Sequence, residues 1–238
     1  MFDALAFDAD DTLWHNETLF RECHAEFQQL LSRYHDEEWI EHHLFETATR
    51  NITHFGYGVK SFTLSMVETA VELTEGRIAG ADVQRILDLG KSMLGAPIAL
   101  LDDVADTLDT LASDHDLMLI TKGDLIDQES KLERSGLRHL FTHVEVVSRK
   151  EPDTYDRILK RNAVEPDRFV MVGDSIRSDV LPVLDLGGWA VHIPCPTPWK
   201  HELVDGADPT DPRYRKIDRI RQLPETLAEL ASVTVLHI

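Results

Sequence analysis

Between residues 101 and 193 the chain repeats one alternation four times, a helical run followed by a short, mainly apolar segment. The helical runs are 103–113, 125–135, 153–162 and 177–186. The segments that follow are LMLIT (117–121), VEVVS (144–148), FVMVG (169–173) and WAVHI (189–193). A strand that is apolar at successive positions is covered on both faces, and strands separated by helices are joined by crossovers, so the segments predict a parallel sheet with helices on both sides. ALAFD (4–8) has the same character and predicts a further, earlier strand. The fold class is therefore α/β, a doubly wound (Rossmann-like) parallel sheet.

A different texture separates ALAFD from the repeat. Between about Thr18 and Leu94 the apolar residues recur at helical spacing. Leu19, Phe20, Cys23, Phe27, Leu30, Leu31 and Tyr34 form one face. Trp39 to Phe55 give a second and Phe62 to Leu73 a third, ended by Gly76. Val83 to Leu94 give a fourth, with Asp82 as its N-cap and Gly95 at its stop. These spans predict an α/β core domain over 1–15 and 97–238, interrupted by an inserted all-helical domain over 16–96. The tail after Pro194 is rich in proline and charge. It then offers a helix over 224–232 and a terminal strand, VTVLHI.

Ligands of open parallel sheets bind at the carboxyl ends of the strands. Asp8, Asp10 and Asp11 stand at the first such end, and Thr121, Lys122, Gly123 and Asp124 after LMLIT. Arg149 and Lys150 follow VEVVS, and Asp174, Ser175 and Asp179 follow FVMVG. Turn chemistry favours Asp and Gly at any one of these places, but not the convergence of all four. Clustered carboxylates repel and need a cation, and an all-oxygen set suits Mg²⁺, with Asp8, the backbone carbonyl of Asp10 and Asp174 as ligands. An ammonium, with Lys150 the candidate and Arg149 its neighbouring alternative, would shield a phosphate dianion from an attacking carboxylate. Unshielded, two unit charges about 4 Å apart repel by roughly 4 kcal/mol at an effective dielectric near 20. On this reading Asp8 attacks phosphorus, Asp10 transfers the proton and Thr121 binds the phosphoryl oxygens. Asp179 reads either as part of the site or as an acid favoured by the first turn of its helix.

Asp8-Ala9-Asp10-Asp11-Thr12-Leu13, Thr121, Lys150 and Gly173-Asp174-Ser175 with Asp179 resemble, in order and spacing, the four motifs of the haloacid dehalogenase-like (HAD) hydrolase superfamily. The resemblance covers about 1–15 and 97–195, and the helical insertion looks like that family's C1-type cap. It implies Asp8 as nucleophile, Asp10 as acid/base, Thr121 and Lys150 as phosphoryl binders, Asp174 as metal carboxylate and Asp179 as a residue that supports the metal ligands or serves as an alternate one. An acid at Asp10 is similar to the phosphatase branch. Asp11 stands where glycine is common. Lys122 replaces a frequent asparagine and is expected to contact substrate. Glu151 separates Lys150 from the proline that often follows directly.

The expected activity is hydrolysis of a small phosphomonoester metabolite with Mg²⁺. The competing readings are a sugar-phosphate mutase, a receiver phosphorylated on aspartate without turnover, and a silent binding protein. A formal charge of −19, from 43 acidic against 24 basic residues, disfavours nucleic acid as a partner. No apolar stretch approaches membrane-spanning length and none resembles a signal peptide, so a cytoplasmic location is expected. Cys23 falls on a helical core face and Cys195 in the rigid Pro194–Pro198 loop, a pairing that a reducing compartment disfavours. Trp14 and His15 read either as hinge packing beside the insertion or as residues of the crevice between insertion and core, and the adjacent His42 and His43 make a poor metal pair. The substrate and the oligomeric state are not encoded legibly.

Overall fold

The computed structural model describes residues 2–199, 202–204 and 210–235. Six strands form one sheet in the order β3-β2-β1-β4-β5-β6. They are β1 (Ala4–Phe7), β2 (Asp116–Lys122), β3 (His143–Val147), β4 (Phe169–Gly173), β5 (Trp189–His192) and β6 (Tyr214–Lys216). The pairings of β1 with β2 and β4, of β4 with β5 and of β5 with β6 are all parallel. The expected α/β class and doubly wound sheet are therefore present. The strand order reverses at β1, so the crevice characteristic of such sheets opens beyond the ends of β1 and β4.

β1 is buried along its whole length, which is why ALAF alternates with nothing polar. Helices α5 (Val104–Ala112) and α9 (Leu223–Val235) cover one face through Val104, Leu108, Leu111, Leu223, Leu227 and Leu230. α7 (Pro152–Arg161) and α8 (Leu181–Asp185) cover the other through Tyr155, Ile158, Leu159 and Val183. Each fully buried Leu, Ile or Phe contributes about 1.5–3 kcal/mol relative to an exposed one. That gain keeps the sheet sandwiched and fixes its edge.

By internal packing the chain forms two compact units. One comprises Met1–His15, Ile98–Thr121 and Lys131–Ile238, the other Asn16–Pro97 together with Lys122–Ser130. The second unit contains α1 (Glu17–Leu31), α2 (Glu37–Phe55), α3 (Val59–Leu73) and α4 (Gly80–Gly95). Cys23, Phe27, Leu31, Ile40, Leu44, Val59, Met66, Leu73 and Ile86 form its core. Asp36 caps α2 by accepting the Trp39 N–H at 2.8 Å. α3 and α4 approach closely at Gly90, where a Cβ would collide with the Thr63 side chain. Lys122–Ser130 joins this unit through the Lys60–Asp124 ion pair (2.8 Å) and the packing of Gly58 on Asp124. No helix among the described residues is long and apolar enough to cross a membrane.

The chain leaves and re-enters the first unit along two neighbouring segments. His15 N–H donates to the Ala99 carbonyl (3.0 Å) and Leu101 N–H to the Leu13 carbonyl (2.9 Å), with Trp14 and Leu100 antiparallel between them.

Three local expectations need correction, and one strand was not expected. α4 starts at Gly80 after Ala79, so Asp82 lies inside its first turn, where it pairs with Arg33 at 2.5 Å rather than capping the helix. The helix expected over 177–186 is a π-helical turn, Ile176–Val180, followed by the short α8. Pro182 has no N–H to offer the Ser178 carbonyl, which accepts the Tyr155 hydroxyl at 2.9 Å instead. The expected strand VTVLHI is helical through Val235, and 236–238 lie outside the described residues. β6 was not foreseen, because an edge strand of only three residues, two of them charged, carries no apolar alternation.

Candidate active site

β1 delivers Asp8 to the sheet edge. The residue is buried, and its backbone N–H continues the pairing by donating to the Val172 carbonyl at 2.9 Å. The chain then turns tightly, with Leu13 N–H donating to the Ala9 carbonyl at 2.8 Å and Asp11 at φ 60°. Aspartate is among the few side chains that tolerate this left-handed region, which accounts for an acid where glycine is common. The turn swings Asp10 clear of the strand. Its Oδ1 accepts the Trp14 indole N–H at 2.7 Å, and its two oxygens accept the Lys131 ammonium at 3.0 and 3.1 Å.

Phe7 pairs with Leu119, so Thr121, buried near the end of β2, stands at the same sheet edge. Lys122 belongs to the other unit, where its ammonium stands 4.6 Å from the centroid of the Tyr57 ring. After β3, Lys150 is buried and bonds both the Asp8 carboxylate and Asp179 Oδ1, the latter at 2.7 Å. Arg149 is exposed and pairs with Glu151 at 3.4 Å, so the inward-facing ammonium is that of Lys150. The proline offset by Glu151 occupies the first turn of α7 and leaves this geometry intact.

β4 ends at Gly173, and a Cβ there would collide with the Asp179 carboxylate. The π turn brings Asp179 back over the loop, where its Oδ2 accepts the Ser175 N–H at 3.1 Å. The nearest carboxylate oxygens of Asp8, Asp174 and Asp179 all lie within 4.8 Å of one another. Asp8, Asp174, Asp179 and Lys150, spread over 172 positions of sequence, thus form one cluster, with Asp10 beside it.

The electrostatics fit a cation. Burial drives the Asp8 carboxyl up to about 7; Asp179 and Asp10 add to the rise while the Lys150 ammonium opposes it. Burial and the charges of Asp8, Asp179 and Asp11 hold Asp174 well above the usual carboxylate range. Burial pulls Lys150 down, but Asp179 and Asp8 outweigh it and hold the ammonium well above its ordinary value. Four carboxylates, those of Asp8, Asp10, Asp174 and Asp179, face the two ammoniums of Lys131 and Lys150. A hard divalent ion would balance the remainder, and its preferred donors are oxygens.

Sequence reasoning missed several members of the surroundings. Lys131 lies in the polar run QESKLERS, with nothing to mark it as buried. Glu202 Oε2 accepts the hydroxyls of Ser175 and Ser178, each at 2.6 Å, from a proline-rich tail with no local pattern. His192 Nε2 lies 2.9 Å from the Asp174 carbonyl, and sequence gave it only a strand position. Both cysteines are free, Cys23 buried and Cys195 half-buried.

A structure of a haloacid dehalogenase-like family hydrolase from Xanthomonas campestris superposes with a TM-score of 0.90 at 40% identity, covering 100% of this chain and 95% of that one. The glyceraldehyde 3-phosphate phosphatase of Methanopyrus kandleri is 24% identical over 97% of this chain and 99% of its own length. The N-acylneuraminate-9-phosphatase of Mus musculus is 27% identical over 77% of this chain and 79% of its own. The sequence model of the haloacid dehalogenase-like hydrolases matches residues 2–186. With a match over most of its length and the sheet, strand ends and acidic cluster described above, this chain belongs to the haloacid dehalogenase-like hydrolase family.

Proposed function

We propose that the protein hydrolyses a small phosphomonoester through a phosphorylated Asp8, with Mg²⁺ held by Asp8, the Asp10 carbonyl and Asp174. Asp179 supports that set and is its alternate ligand. The observation that carries this reading is the convergence of Asp8, Asp174 and Asp179 within one ion's reach, with Lys150 bonded to two of them. The two named phosphatase relatives act, by their names, on phosphate esters of small molecules, in keeping with this substrate class.

A bound Mg²⁺ supplies positive charge that offsets the phosphoryl oxygens and the Asp8 carboxylate. An Asp8 oxygen attacks phosphorus, the bond from phosphorus to the leaving oxygen breaks, and Asp10 gives that oxygen its proton. Asp10 then takes a proton from water as the water oxygen attacks phosphorus. The bond from phosphorus to the Asp8 oxygen breaks and inorganic phosphate leaves. Lys150 steadies Asp8 and the phosphoryl charge, and Thr121 donates to a phosphoryl oxygen. We further propose that residues 16–96 act as a cap that selects the substrate and that Lys122 contributes to that selection. The enzyme is expected to act in the cytoplasm.

The test is phosphate release from a panel of phosphorylated metabolites with and without Mg²⁺. Metal-dependent turnover that disappears in Asp8→Asn supports the reading. Turnover unaffected by Asp8→Asn, or none across a broad panel with folded protein, removes it.

A further inference from the structure

Lys131 is enclosed, with 5% of its side chain exposed, and its ammonium meets both oxygens of Asp10. A lysine in such a place is costly. Replacing a buried ion pair with well-packed apolar groups is often neutral or stabilising, so stability alone does not select for one. Its partner is also unusual. Asp10 does not belong to a strand or helix; it stands in the turn between β1 and the crossing to the helical insertion, and a carboxylate on such a turn has several rotamers open to it.

Two donors from different parts of the fold remove that freedom. Lys131 comes from α6 (Leu125–Ser135) and Trp14 from the crossing segment, where it is wholly buried and paired with Leu100. The indole N–H reaches Oδ1 at 2.7 Å, and the ammonium spans Oδ1 and Oδ2. The indole is rigid and locked by packing, while the lysine closes the fork of the carboxylate. Together they fix both the position of the group and the rotation of its plane.

We infer that Lys131 is a positioning residue for Asp10, acting with the Trp14 indole N–H as a two-point clamp that aims the carboxylate along the proton-transfer path. The inference rests on the role proposed above for Asp10. Proton transfer demands heavy-atom distances near 2.6–3.2 Å, and a misplacement of about 1 Å costs on the order of 100-fold in rate. The clamp therefore acts on turnover and leaves ground-state binding of the phosphoryl group to other residues.

The experiment compares steady-state kinetics of Lys131→Met and Trp14→Phe, each alone and combined with Asp10→Asn, on p-nitrophenyl phosphate and an alkyl phosphate at saturating Mg²⁺. Lys131→Met is expected to lower kcat roughly 100-fold with KM held within about twofold. Trp14→Phe keeps the bulk and loses only the N–H; it is expected to lower kcat about tenfold by loosening one point of the clamp. In the Asp10→Asn background both substitutions add less than about twofold, because each acts through the carboxylate already removed. If Lys131→Met fails to fold, as judged by circular dichroism, Trp14→Phe and its cycle with Asp10→Asn decide the matter. Unchanged kcat in a folded single variant overturns the clamp, and so does an equal loss with and without Asp10. Full activity in Asp10→Asn would instead overturn the proton-transfer role itself, whereas an inactive Asp10→Asn beside active Lys131→Met and Trp14→Phe would remove the clamp alone.

Discussion

The Lys150 ammonium lies 2.7 Å from Asp179 Oδ1 while also bonding Asp8, so one buried cation serves two carboxylates from different strand ends. Lys150→Met would leave both acids enclosed without their partner. Removing one member of a buried pair typically costs about 3–5 kcal/mol. We expect a loss of that size in urea denaturation near neutral pH, and a smaller one in acid, where the carboxyls take up protons. Turnover should fall at least about 100-fold, the usual loss for a lost electrostatic contact at a reacting centre.

Metal and protons compete for the same oxygens. Without metal, burial pushes the Asp8 carboxyl of the folded chain up to about 7 from its ordinary value of 3.8. Between those values the folded state holds more protons than the unfolded one, so the metal-free protein loses stability as pH rises through that window. Mg²⁺ offsets the charge that appears. The rise in melting temperature caused by Mg²⁺ should therefore be larger at about pH 8 than at about pH 6. An equal rise at both, read by differential scanning fluorimetry, would contradict the shared site.

Gly173 is defined by space. A Cβ there meets the Asp179 carboxylate, so Gly173→Ala must displace the acid that accepts the Ser175 N–H and the Lys150 ammonium. Residues that orient metal ligands typically change affinity by about 10- to 100-fold when altered. We expect the Mg²⁺ concentration for half-maximal activity to rise by roughly tenfold, measured at saturating substrate.

The two thiols should behave differently. Burial, with Glu26 adding to it, pushes the Cys23 thiol up to about 12, and it packs against Met66 in the helical core. Cys195 is only half-buried. A thiol reagent should modify Cys195 alone in the native protein and both residues in denaturant, a result that mass spectrometry can count.

Much of this arrangement is legible in sequence because strand ends are. Four apolar segments end in polar groups, and parallel pairing forces those ends to one edge, so Asp8, Thr121, Lys150 and Asp174 can be found without coordinates. Asp179 is harder, since its place depends on a π turn caused by Pro182 and stabilised by Tyr155, neither of which has a periodic signature. Lys131 and Glu202 are harder still. A buried lysine in a polar helix and a glutamate in an irregular tail resemble solvent-facing residues, and only tertiary packing sets them apart. The misread end of the chain shows the same limit: VTV has strand propensity, yet it continues α9, whose Leu223, Leu227 and Leu230 already face the core.

The antiparallel contact between Leu13–His15 and Ala99–Leu101 has an architectural consequence. Two strands paired in that way can be closed by a turn of a few residues. Topologically the helical insertion is one enlarged hairpin turn, grafted where the chain already doubles back. None of the six strands lies between His15 and Ala99, so the strand order does not run through the insertion. Evolution can therefore lengthen, replace or rewrite the module that hangs there without renegotiating the sheet that holds the acids.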